Sequence, residues 1–414
     1  MTKTKLIQIN TEYARALEFL KDDQQNIFLT GRAGTGKSTL LRYFRDQSKK
    51  NLVVLAPTGV AALNVQGQTI HSFFHFKPGV TVQSIRALGG KRGRMYKKLD
   101  VIIIDEISMV RSDLLDCIDL FLRRNGRHRD KPFGGIKMIF IGDLYQLPPV
   151  VTSDENHLFG ELAMYYTPYF FSSPAYAQAR VARVELTTVF RQSDQVFIDI
   201  LDAIRTGRAD EAHFRALNQR VVPVTDDREY IYLSTTNRIA EEINMAKLAS
   251  LSTPARSFRG TASGAFPPDR YPSPFELVVK QGARIMMLNN DMEDRWVNGD
   301  TGHISKLNSE GVFVELDSGP QEYKITPHRW DITRYFYDER NDRVQSEVAG
   351  SYHQLPLKLA WAATIHKAQG KTFQKTILDF GRGTFAHGQA YVALSRCTTL
   401  EGTILKHPIE PHHI

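Results

Sequence analysis

Residues 31–38 read Gly31-Arg32-Ala33-Gly34-Thr35-Gly36-Lys37-Ser38, which matches the pattern GxxxxGK[ST]. The apolar run 27–30 before them predicts a buried strand, and the stretch 38–47 after them predicts a helix. In that setting, backbone N–H groups of the glycine-rich turn surround phosphate oxygens and the helix N-terminus adds positive potential. We therefore predict a parallel α/β sheet with helices on both faces and a phosphate-binding loop, rather than an ordinary glycine-rich turn.

The side chains of this loop predict binding of ATP together with Mg²⁺. Lys37 would reach the β- and γ-phosphates, and the Ser38 hydroxyl would ligate the metal ion. The other residues expected around the phosphates are Gly34, Thr35, Gly36 and Thr39.

Polar groups follow two further apolar runs that predict strands, 101–104 and 138–141. Asp105 would hold Mg²⁺, and Glu106 would accept a proton from the attacking water, which favours hydrolysis over transfer to a small molecule. Alternatively, this carboxylate pair caps a helix at Ser108. Gln146, in the stretch Gly142-Asp143-Leu144-Tyr145-Gln146, would place its amide near the γ-phosphate or the attacking water.

Length and composition limit the protein class. A chain of 414 residues should form two or three domains, and 42% hydrophobic with 24% charged residues excludes a disordered or fibrous chain. No apolar run approaches the about 20 residues of a membrane span. Two isolated cysteines exclude a disulfide framework or zinc cluster and fit an intracellular compartment. A net charge of +8 permits a polyanionic partner without requiring one.

Apolar periodicity divides the chain into regions. The strand-then-helix pattern of residues 1–181 recurs in 182–252 and 356–414, which predicts a second α/β domain. Between those two segments the apolar period becomes two, with turn signals such as Asn298-Gly299. Residues 253–355 are therefore predicted to form a small antiparallel β-barrel inserted into the second domain.

The order of the motifs resembles the Pif1-like helicases of superfamily 1B, which are related to RecD. The resemblance lies in GRAGTGKST (31–39), APTGVAALNVQGQTIHSFF (56–74), IIIDEISMV (102–110), GDLYQLPPV (142–150), VFRQ (189–192), TTNRIAEEIN (235–244), TIHKAQGKT (364–372) and YVALSRC (391–397). It implies two RecA-like domains with ATP between them, a wedge insertion at about 76–98 and an SH3-like fold for the inserted barrel.

The same resemblance implies an ATP-dependent helicase that moves 5′ to 3′ on single-stranded DNA and unwinds duplex at junctions. The family is associated with forks, RNA–DNA hybrids and G-quadruplexes, and with DNA repair, recombination and telomere maintenance. We expect no membrane partner and a monomer, with dimerisation on DNA left open. The expected location is the cytoplasm or nucleoid in a bacterium and the nucleus in a eukaryote.

Further nucleotide-site residues follow from the resemblance. Arg191 and Arg396 match the arginine fingers, which would neutralise charge on the γ-phosphate when the two domains close. Gly370 matches the nucleotide-facing loop. No Gln stands within 9–13, where related helicases read adenine, so Gln8 is the candidate. Surface salt bridges are the alternative for both arginines.

A strand-binding set combines residues from both α/β domains. Thr58, Gly59 and Val60 follow a predicted strand and open a helix, where they would meet a DNA phosphate, and His71 and Phe73 would contact sugars or bases. By resemblance, their counterparts in the second domain are Thr235, Asn237, His366 and Lys367. The alternative for Phe73 is a place in the core.

Two basic clusters, residues 91–98 and 123–131, have solvated surfaces as their simplest interpretation. The first lies in the expected wedge, so we hypothesise that neutralising Lys91, Arg92 and Arg94 slows unwinding more than ATP hydrolysis. Two other function classes remain open: a P-loop enzyme acting on a small molecule, and a DNA-binding or scaffold protein that uses ATP only as a switch.

Overall fold

The computed structural model describes residues 10–22, 25–192, 194–224, 227–291, 293, 295–380, 383 and 387–414. It divides into two compact units. The first unit comprises Met1–Leu144, Pro148–Val189 and Ile332–Ala349, and the second comprises Tyr145–Leu147, Phe190–Asp331 and Gly350–Ile414.

The first unit is a parallel sheet with helices. Its strands are β1 (Ile27–Gly31), β2 (Leu52–Ala56), β3 (Gln68–Thr69), β4 (Val101–Ile104), β5 (Lys137–Ile141) and β6 (Ala182–Leu186), in the order β3-β2-β4-β5-β1-β6. Its helices are α1 (Thr11–Lys21), α2 (Lys37–Gln47), α3 (Gly59–Asn64), α4 (Ile70–Phe74), α5 (Gly90–Lys98), α6 (Ser112–Asn125) and α7 (Pro174–Gln178). Short 3₁₀ helices lie at Val82–Ser84, Ile107–Met109, Pro132–Gly135, Ser153–Leu158 and Phe170–Ser172.

Both faces of this sheet are buried, which explains its continuous apolar strands. Successive side chains of a strand point to opposite faces. In β2, Val53 and Leu55 pack in one core cluster, whereas Val54 packs in another. Parallel pairing of β1, β2, β4 and β5 brings the carboxyl ends of these strands to one edge, where the predicted nucleotide residues begin.

The boundary between the α/β units differs from the prediction. Residues 182–186 were assigned to the second domain, but they form β6, which pairs in parallel with β1 from Ala182 to Leu186. The change of unit comes at Val189–Phe190 instead. This pairing was not predicted, because β6 is only partly buried and its apolar pattern is weak.

The second unit combines a parallel sheet with antiparallel strands. Its helices are α8 (Gln195–Arg205), α9 (Glu211–Asn218), α10 (Asn237–Ser250), α11 (Ile365–Ala368) and α12 (Gln389–Leu394), with 3₁₀ helices at Pro268–Arg270 and Pro411–His413. Its strands, some shared with the first unit, are β7 (Ile231–Ser234), β8 (Ala255–Arg259), β9 (Thr261–Gly264), β10 (Glu276–Lys280), β11 (Arg284–Met287), β12 (Thr301–Asn308), β13 (Gly311–Leu316), β14 (Glu322–Ile325), β15 (His328–Asp338), β16 (Arg343–Gln354), β17 (Leu357–Leu359), β18 (Ala362–Thr364), β19 (Thr376–Asp379) and β20 (Thr403–Leu405).

Its strands form four sheets. The order β18-β7-β19-β20 is the parallel sheet, so the predicted second α/β layer is present. The inserted strands pair as β14-β13-β12-β11-β17, β10-β8 and β15-β16-β9. The first two of these are antiparallel, as predicted for this region.

The tip of the β15–β16 hairpin belongs to the first unit, although the whole range 253–355 was predicted as one insertion. The Tyr335 hydroxyl accepts the Val54 N–H at 3.1 Å, and the Val344 N–H donates to Asn51 Oδ1 at 3.0 Å. These bonds join residues almost 300 positions apart, beyond the reach of local periodicity. Among the described residues, no helix is long and apolar enough to cross a membrane.

Candidate nucleotide and strand-binding sites

The turn between β1 and α2 has the backbone conformation of a phosphate cradle. Gly34 and Gly36 have φ angles of 82° and 76°, in the left-handed region that favours glycine. At Gly31, φ is 151° and a Cβ atom would lie 2.4 Å from the carbonyl oxygen of Leu186. Glycine is therefore required at Gly31 both by conformation and by the close approach of β6.

Local hydrogen bonds hold this loop. The Lys37 ammonium donates to the carbonyl oxygens of Gly31 at 2.7 Å and Arg32 at 2.9 Å. The buried Thr35 hydroxyl also donates to Arg32, at 3.0 Å. From α1, the Tyr13 hydroxyl donates to the Thr35 carbonyl at 2.8 Å. Sequence analysis gave Tyr13 no role, since nothing in the motif indicates which upstream side chain supports the loop.

The carboxylate pair follows β4 as predicted. Asp105 is 6% exposed and accepts the Glu106 N–H at 3.0 Å. Burial raises the pKa of Asp105 to about 6, while this hydrogen bond and the charges of Lys37 and Arg42 oppose the rise. Glu106 has a φ of 52°, in the left-handed region that residues with a Cβ atom uncommonly adopt. The alternative of helix capping is not observed, since the 3₁₀ helix 107–109 has no side-chain cap.

The donors present fit a magnesium ion. Ser38 offers a hydroxyl oxygen and Asp105 a buried carboxylate whose charge a cation would stabilise, and Mg²⁺ prefers such oxygen ligands. Within the described ranges, no group of three or more His, Cys, Asp or Glu side chains could hold a metal. A site with few protein ligands is typical of Mg²⁺ that is also held by nucleotide phosphates and water.

In the second unit, Gln369 links the predicted residue Gln146 to the segment that contains the predicted residue Gly370. The Gln369 side-chain amide donates to Gln146 Oε1 at 3.1 Å. Gly388, with a φ of 76°, packs against the carbonyl oxygens of Tyr145 and Gln146. Gln146 is thus held from two sides, next to the loop that contains Gly370.

The predicted arginine fingers also lie in the second unit and share neighbours. Arg191 donates to the carbonyl oxygens of Ser395 and Gly370, both at 3.3 Å, and burial lowers its pKa. Arg396 is 1% exposed and donates to Val392, Ser395 and Lys371. Arg396 is buried rather than on the surface, and the hydrogen bonds of Arg191 go to carbonyl oxygens, so surface salt bridges are not the favoured interpretation of either residue.

On the first unit, the predicted strand-binding residues divide into exposed and buried members. Thr58 caps α3, accepting the Ala61 N–H at 3.2 Å, and Val60 is 56% exposed. His71 lies on α4, partly buried. Phe73 was predicted to contact DNA, but it is 2% exposed and packs edge-on against Tyr96 and other aromatic rings. The structure therefore supports its alternative, core packing.

On the second unit, the four predicted strand-binding residues lie at one edge of the parallel sheet. β7 and β18 pair in register, with Thr364 opposite Ser234, so the residues that follow each strand are neighbours. Thr235 is buried, whereas Asn237 and Lys367 are exposed at the starts of α10 and α11. Burial lowers the pKa of His366, which favours the neutral ring.

Both basic clusters belong to the first unit, and several of their side chains form ion pairs within it. Arg94 and Lys98 pair with Glu339 and Asp342 of the β15–β16 hairpin, at 2.9 and 2.6 Å. Arg123 pairs with Asp119 at 2.7 Å and Arg127 with Asp100 at 2.8 Å. The side chains of Lys91 and Arg92, and all of Gln8, lie outside what the structure describes, so their predicted roles stay predictions.

Comparison with known proteins assigns the family. A family model for PIF1-like helicases matches residues 9–215, half of the chain. The ATP-dependent DNA helicase Pif1 of Bdellovibrio bacteriovorus is 32% identical over 409 residues, which cover 96% of this chain and 87% of that protein. The chain belongs to the PIF1-like helicase family.

Solved PIF1-like structures share the fold over nearly the whole chain. Pif1 from Bacteroides sp in complex with ADP-AlF4 has a TM-score of 0.90 and 35% identity, covering 98% of this chain and 94% of that one. A Bacteroides Pif1 complex with ADP-AlF3 and single-stranded DNA has a TM-score of 0.68 and 36% identity, covering 99% and 94%. The chain spans 58% to 64% of the length of the curated eukaryotic relatives it matches.

Two residues that support the candidate site of this PIF1-like chain were not predicted from the sequence. Gln192, which follows Arg191, is buried and donates to the carbonyl oxygens of Ser395 and Cys397 at 3.0 and 3.1 Å. Lys137 is buried on β5, and its ammonium donates to the last carbonyls of α1, those of Phe19, Leu20 and Asp22. It thereby fixes the helix that carries Tyr13. The position of Gln192 inside VFRQ was the one available signal.

Proposed function

We propose that this chain is an ATP-dependent DNA helicase that moves 5′ to 3′ on single-stranded DNA and unwinds duplex. One observation carries the proposal: a phosphate-binding loop with a buried carboxylate in one unit occurs in the same chain as two arginines beside Gly370 in the other. A simple phosphate-binding module needs the first set alone, whereas hydrolysis that depends on movement needs both.

In this proposal the residues divide the chemistry. Lys37 and the backbone N–H groups of Gly34 to Thr39 hold the phosphates, and Glu106 takes the proton of the attacking water. Ser38 and Asp105 would hold Mg²⁺, which supplies charge neutralisation at the phosphates when bound. Arg191 and Arg396 stabilise charge on the γ-phosphate, while Gln146 senses the nucleotide. Gly370 faces the nucleotide, and Gln8 remains the candidate for reading adenine.

A DNA strand is the favoured partner because partly or fully exposed polar groups stand at the sheet edges of both units. Thr58, Asn237 and Lys367 can bind phosphates without reading base sequence, as a motor on single strands requires. Relatives have been solved with single-stranded DNA, and a further structure concerns DNA unwinding at forked duplex DNA by two coordinating Pif1 helicases. We extend this partner, and the possibility of two copies on a fork, to the present chain.

The finer parts of the proposal are polarity, Mg²⁺ dependence and action on G-quadruplexes or RNA–DNA hybrids. They rest on the motif resemblance, as do an SH3-like fold for the inserted strands and an intracellular role in DNA repair, recombination or telomere maintenance.

The test combines unwinding and ATP hydrolysis. Duplexes with a 5′ or a 3′ single-stranded tail are incubated with wild-type protein and with Lys37→Ala, with and without Mg²⁺. We expect unwinding of the 5′-tailed duplex alone, stimulation of hydrolysis by oligonucleotide, and loss of both in Lys37→Ala. Substantial unwinding by the variant would refute the proposal.

The same experiment separates the alternative functions. Hydrolysis that no oligonucleotide stimulates would favour an enzyme acting on a small molecule. Nucleotide-dependent DNA binding with no turnover would favour a switch or scaffold.

A further inference from the structure

Three lysines of the second unit lie together. Lys358 in β17 is opposite Met286 of β11 in the strand register. The Lys371 ammonium, from the turn after α11, lies 3.1 Å from Met286 Sδ and donates to Asn298 Oδ1 at 3.2 Å. Lys367, on α11, repels the charge of Lys358, which in turn repels that of Lys371. The three ammonium groups thus form one cluster, here called the lysine cluster.

The lysine cluster has no counter-ion among the described residues. Other lysines of the same unit are paired with carboxylates: Lys247 with Asp227, Lys375 with Glu229, Lys406 with Asp379 and Lys306 with Glu310. Burial, then repulsion by Lys367, lowers the pKa of Lys358 to about 8, and burial together with Lys358 lowers that of Lys371 well below its usual value. Partly buried ammonium groups held together without an anion carry a desolvation cost that a bound anion would offset.

The position of Lys371 is fixed by the fold. The Lys371 stem lies against Gly299, since a Cβ atom at that glycine would be in ordinary van der Waals contact with it, at 3.4 to 3.6 Å. On its backbone side, the Lys371 carbonyl accepts Arg396 and the Gly370 carbonyl accepts Arg191, both at 3.3 Å. The carbonyl oxygens of residues 370 and 371 therefore accept hydrogen bonds from the predicted arginine fingers, while the Lys371 side chain belongs to the lysine cluster.

We propose that Lys358, Lys367 and Lys371 form one binding site for a backbone phosphate of the DNA strand, with Asn298 positioning Lys371. The proposal rests on the proposed function, because the strand is its ligand. A lysine acts as a point charge on phosphate and reads no base, which suits a moving strand. The strand is favoured over the ATP phosphates because Lys367 lies on the exposed edge with Asn237 and His366.

A second consequence concerns coupling. A phosphate bound by Lys371 acts on the residue whose carbonyl accepts Arg396, and the carbonyl of the preceding residue, Gly370, accepts Arg191. Strand occupancy is thereby transmitted to the arginines over one peptide unit, which gives single-stranded DNA a direct route to stimulate hydrolysis.

The test is a salt titration of DNA binding. Lys358→Met and Lys371→Met keep an unbranched apolar stem next to Met286 but remove the charge. Binding of a fluorescent oligothymidylate is measured between roughly 50 and 300 mM salt, because the salt dependence of binding reports the number of phosphate contacts. Each variant should lower the slope of log Kobs against log[salt] by about 0.7, the value for one phosphate contact on a single strand.

Controls separate this site from the proposed function and from folding. Lys306→Met removes a paired lysine of the same unit and should leave the slope unchanged. Lys371→Arg retains the charge and should keep the slope of the wild type. Hydrolysis without DNA should be the same in Lys306→Met and the wild type.

Three outcomes would overturn the proposal. In the first, both methionine variants keep the wild-type slope while DNA still stimulates hydrolysis. In the second, they raise the KM for ATP without DNA, which assigns the cluster to nucleotide phosphates. In the third, they unfold at lower temperature and Lys371→Arg fails to restore binding, which makes the lysines structural. A wild-type protein that neither binds nor responds to oligonucleotide instead refutes the proposed function itself.

Discussion

The nucleotide edge of the first unit and the arginine edge of the second unit hold their functional groups in different ways. In the first, backbone conformation does the work: Gly31, Gly34, Gly36 and Glu106 all have positive φ angles. In the second, Arg191 and Arg396 are long side chains held by carbonyl oxygens of the 370–371 and 392–395 segments.

This difference separates a preformed site from a restrained one. In the proposed function, the cradle would receive phosphate oxygens with the backbone conformation that it already has. The guanidinium groups would instead exchange their present partners for a phosphate, and the long 3.3 Å bonds of Arg191 are weak ones to exchange. We infer that Arg191 is the more readily released of the two arginines.

Replacing the arginines should have the largest effect. Arg191→Ala should lower the DNA-stimulated kcat for ATP hydrolysis by about 10³-fold, since it removes charge stabilisation of the γ-phosphate. Nucleotide binding, measured with a fluorescent ATP analogue, should change little. Arg215→Ala, which removes an exposed arginine paired with Glu211, is the control and should keep full activity.

Arg396→Ala sharpens the same comparison. It should lose activity and also lower the free energy of unfolding by about 1 to 3 kcal/mol, because the carbonyls of Val392 and Lys371 and the Ser395 hydroxyl lose a donor. If Arg191→Ala were as destabilised as Arg396→Ala, the proposed difference in restraint between the two arginines would be wrong.

A pair of glycine substitutions tests the cradle itself. Gly31→Ala should lower the free energy of unfolding by about 3 kcal/mol, because its Cβ would lie 2.4 Å from Leu186 O and its φ is unsuitable. Gly370→Ala should cost about 1 kcal/mol, since its φ of 81° is strained but nothing lies within 4 Å of the added Cβ. Chemical denaturation measures both. Equal losses would show that steric contact with β6 is unimportant.

The cradle was predictable from sequence for the same reason that it is preformed. Its glycines, Lys37 and the pair Asp105–Glu106 act within a few residues of a strand end, so motif and structure carry the same information. The inserted antiparallel strands were likewise predictable, because a period of two is a local signal.

Long-range features were not predictable. Phe73 is buried because it packs against Tyr96 and Tyr335, which are distant in sequence. From the sequence alone, an aromatic side chain next to a motif fits a core or a surface equally well. Likewise, the lysine cluster joins residues whose charges appear isolated in sequence. The hairpin tip was assigned to the insertion because its partners in the first unit lie almost 300 residues away.

Tyr13 allows a smaller test of the cradle. Tyr13→Phe removes the hydroxyl that donates to Thr35 and should lower the free energy of unfolding by about 1 kcal/mol. The KM for ATP should rise several-fold, since the loop loses a restraint. Tyr43→Phe is the matched control. The Tyr43 ring is partly buried and packs at the edge of the core, and its hydroxyl has no hydrogen bond among the described residues. A KM unchanged in Tyr13→Phe would show that backbone conformation alone sets the loop.

The smallest expected effect is a pH dependence of the strand edge in the second unit. Burial lowers the pKa of His366, so the unfolded chain binds its proton more readily than the folded chain does. The stability that the neutral ring contributes is therefore present above the unfolded pKa of about 6.5 and is lost as the pH falls through the lower folded value.

Between pH 7 and 5 the unfolding midpoint of the wild type should fall more than that of His366→Gln. The other histidines are present in both proteins, so the difference between their unfolding midpoints reports on His366 alone. His407→Gln, at an exposed position, is the control and should follow the wild type. Parallel curves for wild type and His366→Gln would mean that the ring is solvated in solution, and the edge of the second unit would then be more open than its burial indicates.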